Sequence, residues 1–141
     1  MFHKQYEDRL AVWSCLRNKL ESVEDPYQAV IDFYKDAPYV RLHADPWDKN
    51  TWPSPWELIF ENEYDDFCRV LGYCYSLQLT ERFKDSKFEI HIGIDNQECR
   101  TLYLLIINNS IVLGWNESYV SKESLPNSFK SQTTYTMPRI Q

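Results

Sequence analysis

Apolar residues recur at helical spacing at the start of the chain. The first stripe consists of Tyr6, Leu10, Trp13, Leu16 and Leu20. This spacing predicts an amphipathic helix from about Lys4 to Glu21, with its charged residues facing water. The stripe needs a partner to cover it, so we expect this helix to pack on the rest of the chain.

Two further helices are indicated by their capping residues. The sequence DPYQ at residues 25–28 supplies a carboxylate cap, a proline at the first helical position and a glutamine at the third. That helix is expected to end before Pro38. The sequence SPWE at residues 54–57 has the hydroxyl and the carboxylate of a capping box, which predicts a third helix ending near Asn62.

A fourth helix is predicted within ENEYDDFCRVLGYCYSLQL, residues Glu61 to Leu79. Its apolar positions at helical spacing are Phe67, Val70, Leu71, Cys74 and Leu77. Gly72 is unfavourable inside a helix, and close packing against a neighbour is the expected reason for it. The stretch opens with carboxylates and carries Cys68 one turn in. It is therefore either the nucleophile helix of a thiol enzyme or a core helix that contains cysteine.

After Thr80 the pattern changes to the period of a strand. Isoleucines at 90, 92 and 94 alternate with polar residues, and residues 101–107 are apolar on both faces. Asn108 and Asn109 are suited to the positive φ angles of a tight turn into a third strand at 110–115. The order of elements predicts an α+β fold, with N-terminal helices packed on one face of a three-stranded antiparallel sheet.

The segment from residue 121 to 141 differs from the rest in composition. It contains few aliphatic residues and many Ser, Thr and Pro residues. We therefore predict a single domain over residues 1–120 and an extended C-terminal tail over 121–141.

Composition narrows the classes of function. Aromatic residues make up 16% of the 141 residues, which argues against disorder through the body of the chain. The formal charge of −6 argues against nucleic acid as a partner, because phosphate binding depends on Lys and Arg. An inhibitor that mimics nucleic acid is compatible with this charge, but the acidic residues are spread along the chain.

No segment approaches the length of a membrane span, so no membrane partner is expected and the protein is predicted to be soluble.

The four cysteines show no metal-binding spacing. They stand at 15, 68, 74 and 99 and form no CxxC pair or Cys/His knuckle, so no zinc site is predicted. The acidic loop at residues 45–50 lacks the glycine and the terminal glutamate of a calcium loop, and the three glycines are too far apart for a phosphate-binding loop. Neither a metal nor another cofactor is therefore predicted. Cys15, Cys68 and Cys74 lie in helical apolar patterns and are expected to be buried, inert thiols.

The start of the fourth helix and the strands after it resemble the core of the transglutaminase-like and papain-like superfamily. The family's Asp-Cys-Asp-Asp-Phe-Ala pattern corresponds here to residues 63–68, Glu-Tyr-Asp-Asp-Phe-Cys. Tyr64 stands where the family has its nucleophile, and residues 101–103 and 114–116 offer no base. The resemblance therefore implies a degenerate site. Tyr64 is expected to face the second strand near Thr101 or Tyr103 and Trp115 or Asn116, with its hydroxyl hydrogen-bonded and the former cleft filled by aromatic side chains.

The alternative is an active cysteine hydrolase or amidase of the same superfamily. It would use Cys68 as nucleophile, His91 as base and Asp95 as the orienting acceptor. His91 alternates with the isoleucine stripe, so we expect the sheet to separate it from Cys68. The resemblance with a degenerate site and this alternative make opposite predictions about a contact between the thiol and the imidazole.

Tryptophans in the loop before the third helix and at the start of that helix, together with apolar residues of the tail, are the other candidates for function. Such anchors can cover the core, but exposed aromatic side chains are also typical of protein interfaces. The predicted partner-binding residues are Trp47, Trp52, Trp56, Tyr135 and Met137. The segment DPWDKNTWPSPWELIFENEY also resembles small proteins of tailed phages that infect marine bacteria. This implies a non-enzymatic interaction or assembly protein, binding protein partners in a virion or as a phage accessory component in the host cytoplasm.

Overall fold

A computed structural model describes residues 1–140. All four predicted helices are present in it, and a short 3-10 turn at Tyr34–Asp36 extends the second. Further 3-10 turns lie at Lys49–Thr51 and Lys122–Ser124. The helices are α1 (Tyr6–Leu20), α2 (Pro26–Phe33), α3 (Pro55–Glu61) and α4 (Asp66–Gln78). None of the helices in the described part of the chain is long and apolar enough to cross a membrane.

The predicted caps form as the sequence indicates. The Asp25 side chain accepts a hydrogen bond from the backbone N–H of Gln28 at the start of α2. Both halves of the capping box between Ser54 and Glu57 are present at the start of α3. Asn62 ends α3 in the left-handed conformation, with a φ of 54°. Local side-chain chemistry is therefore sufficient to set these boundaries.

The sheet has five antiparallel strands, so the prediction of three strands is wrong in number. Their order is β4-β3-β2-β1-β5. The strands are β1 (Phe88–Asp95), β2 (Arg100–Ile107), β3 (Ile111–Leu113), β4 (Val120–Ser121) and β5 (Phe129–Thr136). The α+β class is confirmed, and the tight turn before β3 has positive φ at both asparagines, 51° at Asn108 and 54° at Asn109.

The C-terminal segment pairs with its own chain. Strand β5 lies at the sheet edge and pairs antiparallel with β1. The connection from β4 to β5 leads from one edge of the sheet to the other, and its Leu125 packs on the face of the sheet opposite the helices. Beyond β5, Met137 packs against the main core and the carbonyl of Pro138 accepts a hydrogen bond from Gln78 Nε2 at 3.0 Å. The sequence predicts the extended conformation of this segment but not its pairing.

The helices share a core that contains hydrogen-bonded polar groups. Ser76 of α4 is fully buried, and its Oγ lies 2.9 Å from Trp13 Nε1 of α1 and 3.0 Å from the Tyr34 hydroxyl. Gly72, one turn earlier, faces the same tyrosine. A Cβ atom there would lie 2.8 Å from the Tyr34 ring, so the predicted close packing at Gly72 is confirmed.

Candidate functional site

The N-terminus of α4 is organised by the carboxylate of Asp65. Its Oδ1 accepts a hydrogen bond from the backbone N–H of Cys68 at 2.7 Å. Its Oδ2 accepts from the backbone N–H groups of His43, at 2.8 Å, and Ala44, at 3.2 Å. Asp65 is almost completely buried, and it joins the loop before α3 to the start of α4. The first bond caps α4 and the other two hold the loop against it, so a structural role accounts for all three without a catalytic one.

Cys68 is a buried thiol. It has no exposed surface and belongs to the core between the helices and the sheet. Burial raises the pKa of the thiol, and the nearby Asp65 carboxylate acts in the same direction. A nucleophilic cysteine needs the opposite, an environment that favours the thiolate. The surroundings of Cys68 therefore keep it protonated.

The imidazole of His91 lies on the other face of the sheet. Its Nδ1 is 3.0 Å from Ser131 Oγ and 3.2 Å from Thr134 Oγ1, both on β5. Burial lowers the pKa of His91, although Glu89 opposes the shift. Its neighbour Ile90 instead belongs to the core that contains Cys68. The sheet separates the thiol from the imidazole, as the alternation along β1 predicts.

Asp95 does not orient His91 either. Its Oδ1 accepts a hydrogen bond from the backbone N–H of Gln97 at 3.1 Å, in the turn between β1 and β2. The structure therefore does not bring Cys68, His91 and Asp95 together as a catalytic triad.

Alkylation tests this arrangement of the cysteines. Cys15 is exposed, contrary to its predicted burial, as is Cys99, while Cys68 and Cys74 are buried. We expect iodoacetamide at neutral pH to modify Cys15 and Cys99 in the native protein, and Cys68 and Cys74 only after denaturation. Peptide mass spectrometry over a time course measures each rate. Native labelling of Cys68 ahead of Cys15 would contradict the burial and favour the cysteine hydrolase.

Tyr64 is not where the degenerate-site prediction put it. Its ring lies in the helical core, with centroids 5.5 Å from Phe2 and 5.7 Å from Tyr34. Its buried hydroxyl has no hydrogen-bond partner among the described residues. Phe67 contacts the second strand instead, with its ring centroid 5.5 Å from that of Tyr103. The predicted position of Tyr64 and its predicted hydrogen bond are therefore wrong. The predicted filling of the cleft is also wrong, because an open groove lies between α4 and β2.

Three of the predicted partner-binding aromatics lie near one another. Trp52 packs between Phe67, at 4.8 Å, and Tyr135, at 4.9 Å between ring centroids. The Tyr135 hydroxyl donates to the carbonyl of Trp47 at 3.3 Å. Trp47 is half exposed, while Trp52 is half-buried and anchors β5 to the loop. Much of the surface of these aromatic side chains is therefore covered by contacts within the chain.

Trp56 lies on a different surface, which we call the α1–α3 face. It consists of Tyr6, Trp56 and Phe60. Trp56 is 49% exposed and Phe60 is 58% exposed, one turn apart on α3. The rings of Phe60 and Tyr6 are 5.2 Å apart, and a shallow cavity of about 310 Å³ lies against all three side chains. These aromatics are adjacent and lack a covering element in the described chain.

The α1–α3 face is held rigidly. Arg9 of α1 donates from Nε to the carbonyl of Ile59 at 3.1 Å and from Nη2 to that of Phe60 at 3.0 Å. These carbonyls belong to the last turn of α3, where a cation is favoured by the helix dipole. Trp56 packs edge-on against the buried Trp13 with 5.2 Å between ring centroids. A surface fixed in this way loses little conformational entropy on binding.

Two carboxylates lie at the border of the α1–α3 face. Glu57 and Glu61 line the same cavity as the aromatic side chains. The backbone N–H of Ser54 hydrogen-bonds to Glu57 and lowers the pKa of its carboxyl, so Glu57 is ionised at neutral pH. The face therefore combines apolar area with two carboxylates, and the guanidinium groups of Arg9 and Arg17 lie over its rings.

The sequence pattern identifies Trp56 but not its neighbours. It assigns Tyr6 to the covered stripe of α1 and does not single out Phe60. The sequence PWELIFE contains the signal for an exposed apolar face. Helix α3 packs Leu58 and Ile59 into the core, while Trp56 and Phe60 lie on another side of the helix and stay exposed. A short helix with apolar residues on more than one side exposes part of its apolar surface unless other elements enclose it.

No protein-family model matches the chain, and no curated protein matches it. Within residues 1–140, no cluster of His, Cys, Asp or Glu side chains has the arrangement of a metal site.

Proposed function

We propose that the protein is a non-enzymatic interaction module that binds a partner protein through the α1–α3 face. The observation that carries this proposal is the adjacent pair of half-exposed aromatics, Trp56 and Phe60, on one rigid helix. Aromatic side chains of this kind dominate the binding energy of many interfaces. The partner segment is expected to place apolar side chains against these rings.

Charge selects the kind of partner. Glu57 and Glu61 border the face, and the whole chain carries a formal charge of −6. A partner segment that combines apolar anchors with Lys or Arg would complement both features. Binding should weaken as salt is raised, because exposed charge pairs are screened.

Selection from a yeast-displayed library of random peptides tests the proposal, because it does not require the natural partner to be identified. We expect enriched peptides to contain aromatic or aliphatic residues together with Lys or Arg. Phe60→Ser should lower the affinity of an enriched peptide at least about tenfold, since hot-spot truncations commonly cost about 2 kcal/mol or more. Isothermal titration calorimetry gives the affinities.

Leu42→Ser is the matched control, because Leu42 is 78% exposed and lies in the loop before α3. It removes an exposed apolar side chain of similar size from another surface, and the peptide affinity should stay unchanged. Equal affinities for wild type and Phe60→Ser would contradict the proposal. So would a stable dimer in sedimentation experiments that Phe60→Ser dissociates, because the occupant would then be a second copy of the chain.

The assembly role implied by the tailed-phage resemblance stays a prediction of the sequence. Contacts of Trp47, Trp52, Tyr135 and Met137 with a partner stay predictions as well. The cysteine hydrolase alternative is disfavoured by the buried thiol of Cys68 and by the separation of Cys68 from His91.

A further inference from the structure

An open groove lies between α4 and the strands β2 and β3. Its volume is about 570 Å³, within the range of small-molecule sites. One wall comes from the first two turns of α4, and the other comes from the start of β2 and the segment that follows β3. The groove is separate from the α1–α3 face, since the two share no lining residue.

Four charged side chains line this groove without pairing with one another. They are Asp66 and Arg69 on α4, Arg100 on β2 and Glu117 after β3. The salt bridges of residues 1–140 include none of the four. The guanidinium of Arg100 lies 5.9 Å from the ring of Trp115, and the buried Nε of Arg69 has no hydrogen-bond partner in the described chain. Two cations and two anions are therefore free to bind an added group.

Tyr73 supplies a hydrogen-bond donor to the groove. It is only 7% exposed, yet it lines the groove. Its hydroxyl makes none of the hydrogen bonds found within residues 1–140, in contrast to Tyr34 and Tyr75, whose hydroxyls are both bonded. Burial raises the pKa of Tyr73 to about 12, so the hydroxyl keeps its proton and can donate. The hydroxyl is not among the buried unpaired polar atoms of the described chain, so it is open to the groove and can donate to a ligand there.

Aromatic side chains supply the apolar part of the groove. Tyr103 and Trp115 both line it, one on β2 and one just after β3. Gly114 also lines it, with a φ of 107°, and a Cβ atom there would come within 2.5 Å of the Tyr103 carbonyl oxygen. The flat faces of such rings favour a planar group in the ligand.

We propose that this groove binds a free α-amino acid with an aromatic side chain. The carboxylate of such a molecule suits Arg69 and Arg100 together, because guanidinium groups bind carboxylates in a fixed, often bidentate geometry. Its ammonium group suits Asp66 and Glu117. The aromatic side chain would pack against Tyr103 and Trp115, and the Tyr73 hydroxyl would donate to the carboxylate.

Calorimetric titration of the full chain with L-tryptophan tests the proposal. Two analogues test the two charged groups of the ligand one at a time. N-acetyl-L-tryptophan lacks the ammonium group and mimics a peptide C-terminus, and L-tryptophan amide lacks the carboxylate. We expect L-tryptophan to bind and each analogue to bind at least about tenfold more weakly, the loss of one charged hydrogen-bonding group. No binding of L-tryptophan, or equal binding of either analogue, would overturn the proposal.

Variants locate the binding in the groove. Arg100→Gln and Asp66→Asn remove one charge each from opposite walls and should each lower the affinity for L-tryptophan at least about tenfold. Arg139→Gln is the control, because Arg139 pairs at 3.1 Å with Asp85 on the surface and does not line the groove. Loss of binding in Arg139→Gln, or retained affinity in Arg100→Gln, would contradict the assignment. Phe60→Ser should bind L-tryptophan like wild type, which keeps this test independent of the proposed partner binding.

Discussion

Phe67→Ala is expected to lower the free energy of unfolding by about 3 to 5 kcal/mol, the range for truncating a buried phenylalanine. Phe67 is 1% exposed, and its ring lies between those of Trp52, at 4.8 Å, and Tyr103, at 5.5 Å. Its loss leaves a cavity where α4, the loop before α3 and β2 meet. Urea denaturation followed by circular dichroism measures the change.

Cys68→Ser is the comparison for Phe67→Ala, because it alters the next residue of the same helix turn. The substitution keeps the side-chain size nearly constant and exchanges a buried thiol for a hydroxyl, so we expect a smaller loss of stability. Peptide binding by the folded variant should be unchanged. A larger loss of stability in Cys68→Ser than in Phe67→Ala would show that the packing around α4 is misassigned.

Ser76→Ala is expected to lower the free energy of unfolding by roughly 2 to 6 kcal/mol, from about 1 to 3 kcal/mol for each of two buried polar groups left unpaired. The two groups are the indole N–H of Trp13 and the hydroxyl of Tyr34, both fully buried and both bonded to Ser76 Oγ. Thermal and urea unfolding of the variant give the value.

A double-mutant cycle isolates the contribution of the hydrogen bond. Tyr34→Phe should destabilise the wild-type chain more than it destabilises the Ser76→Ala variant, because the hydroxyl has already lost its partner there. Equal effects in both backgrounds would mean that Ser76 and Tyr34 are not coupled.

The helices could be predicted because their ends are encoded locally. Caps at Asp25 and Ser54 and the stripe of α1 depend on residues a few positions apart. The hairpin turn at Asn108 and Asn109 is local in the same sense. Such signals do not depend on the rest of the fold.

Strand β5 could not be predicted from its own sequence. FKSQTTYT has no buried residue in the structure, so it lacks the alternation of buried and exposed positions that marks a half-buried strand. Its pairing with β1 is fixed by backbone hydrogen bonds at the sheet edge and by the packing of Tyr135 on Trp52. These contacts join residues that are distant in the sequence.

The candidate site could be predicted only in part for a similar reason. The sequence identifies Trp56 because it is a tryptophan beside a polar, tryptophan-containing loop. The exposure of Phe60 depends instead on which side of α3 is covered by the rest of the chain. The position of Tyr64 also depended on the packing of α2 and of the N-terminus, where Phe2 and Tyr34 enclose its ring. Local pattern placed Tyr64 near the start of α4 but did not specify the direction of its side chain.

The most direct test of the proposed partner binding uses the indole N–H signals of the five tryptophans in a two-dimensional ¹H–¹⁵N NMR spectrum. Trp56 reports on the α1–α3 face, Trp47 on the loop before α3, and Trp115 on the groove beside α4. Single Trp→Phe variants assign the signals. On titration with a selected peptide, we predict that the Trp56 signal shifts while those of Trp47 and Trp115 stay in place. A shift of Trp47 or Trp115 with Trp56 unchanged would contradict binding at the α1–α3 face.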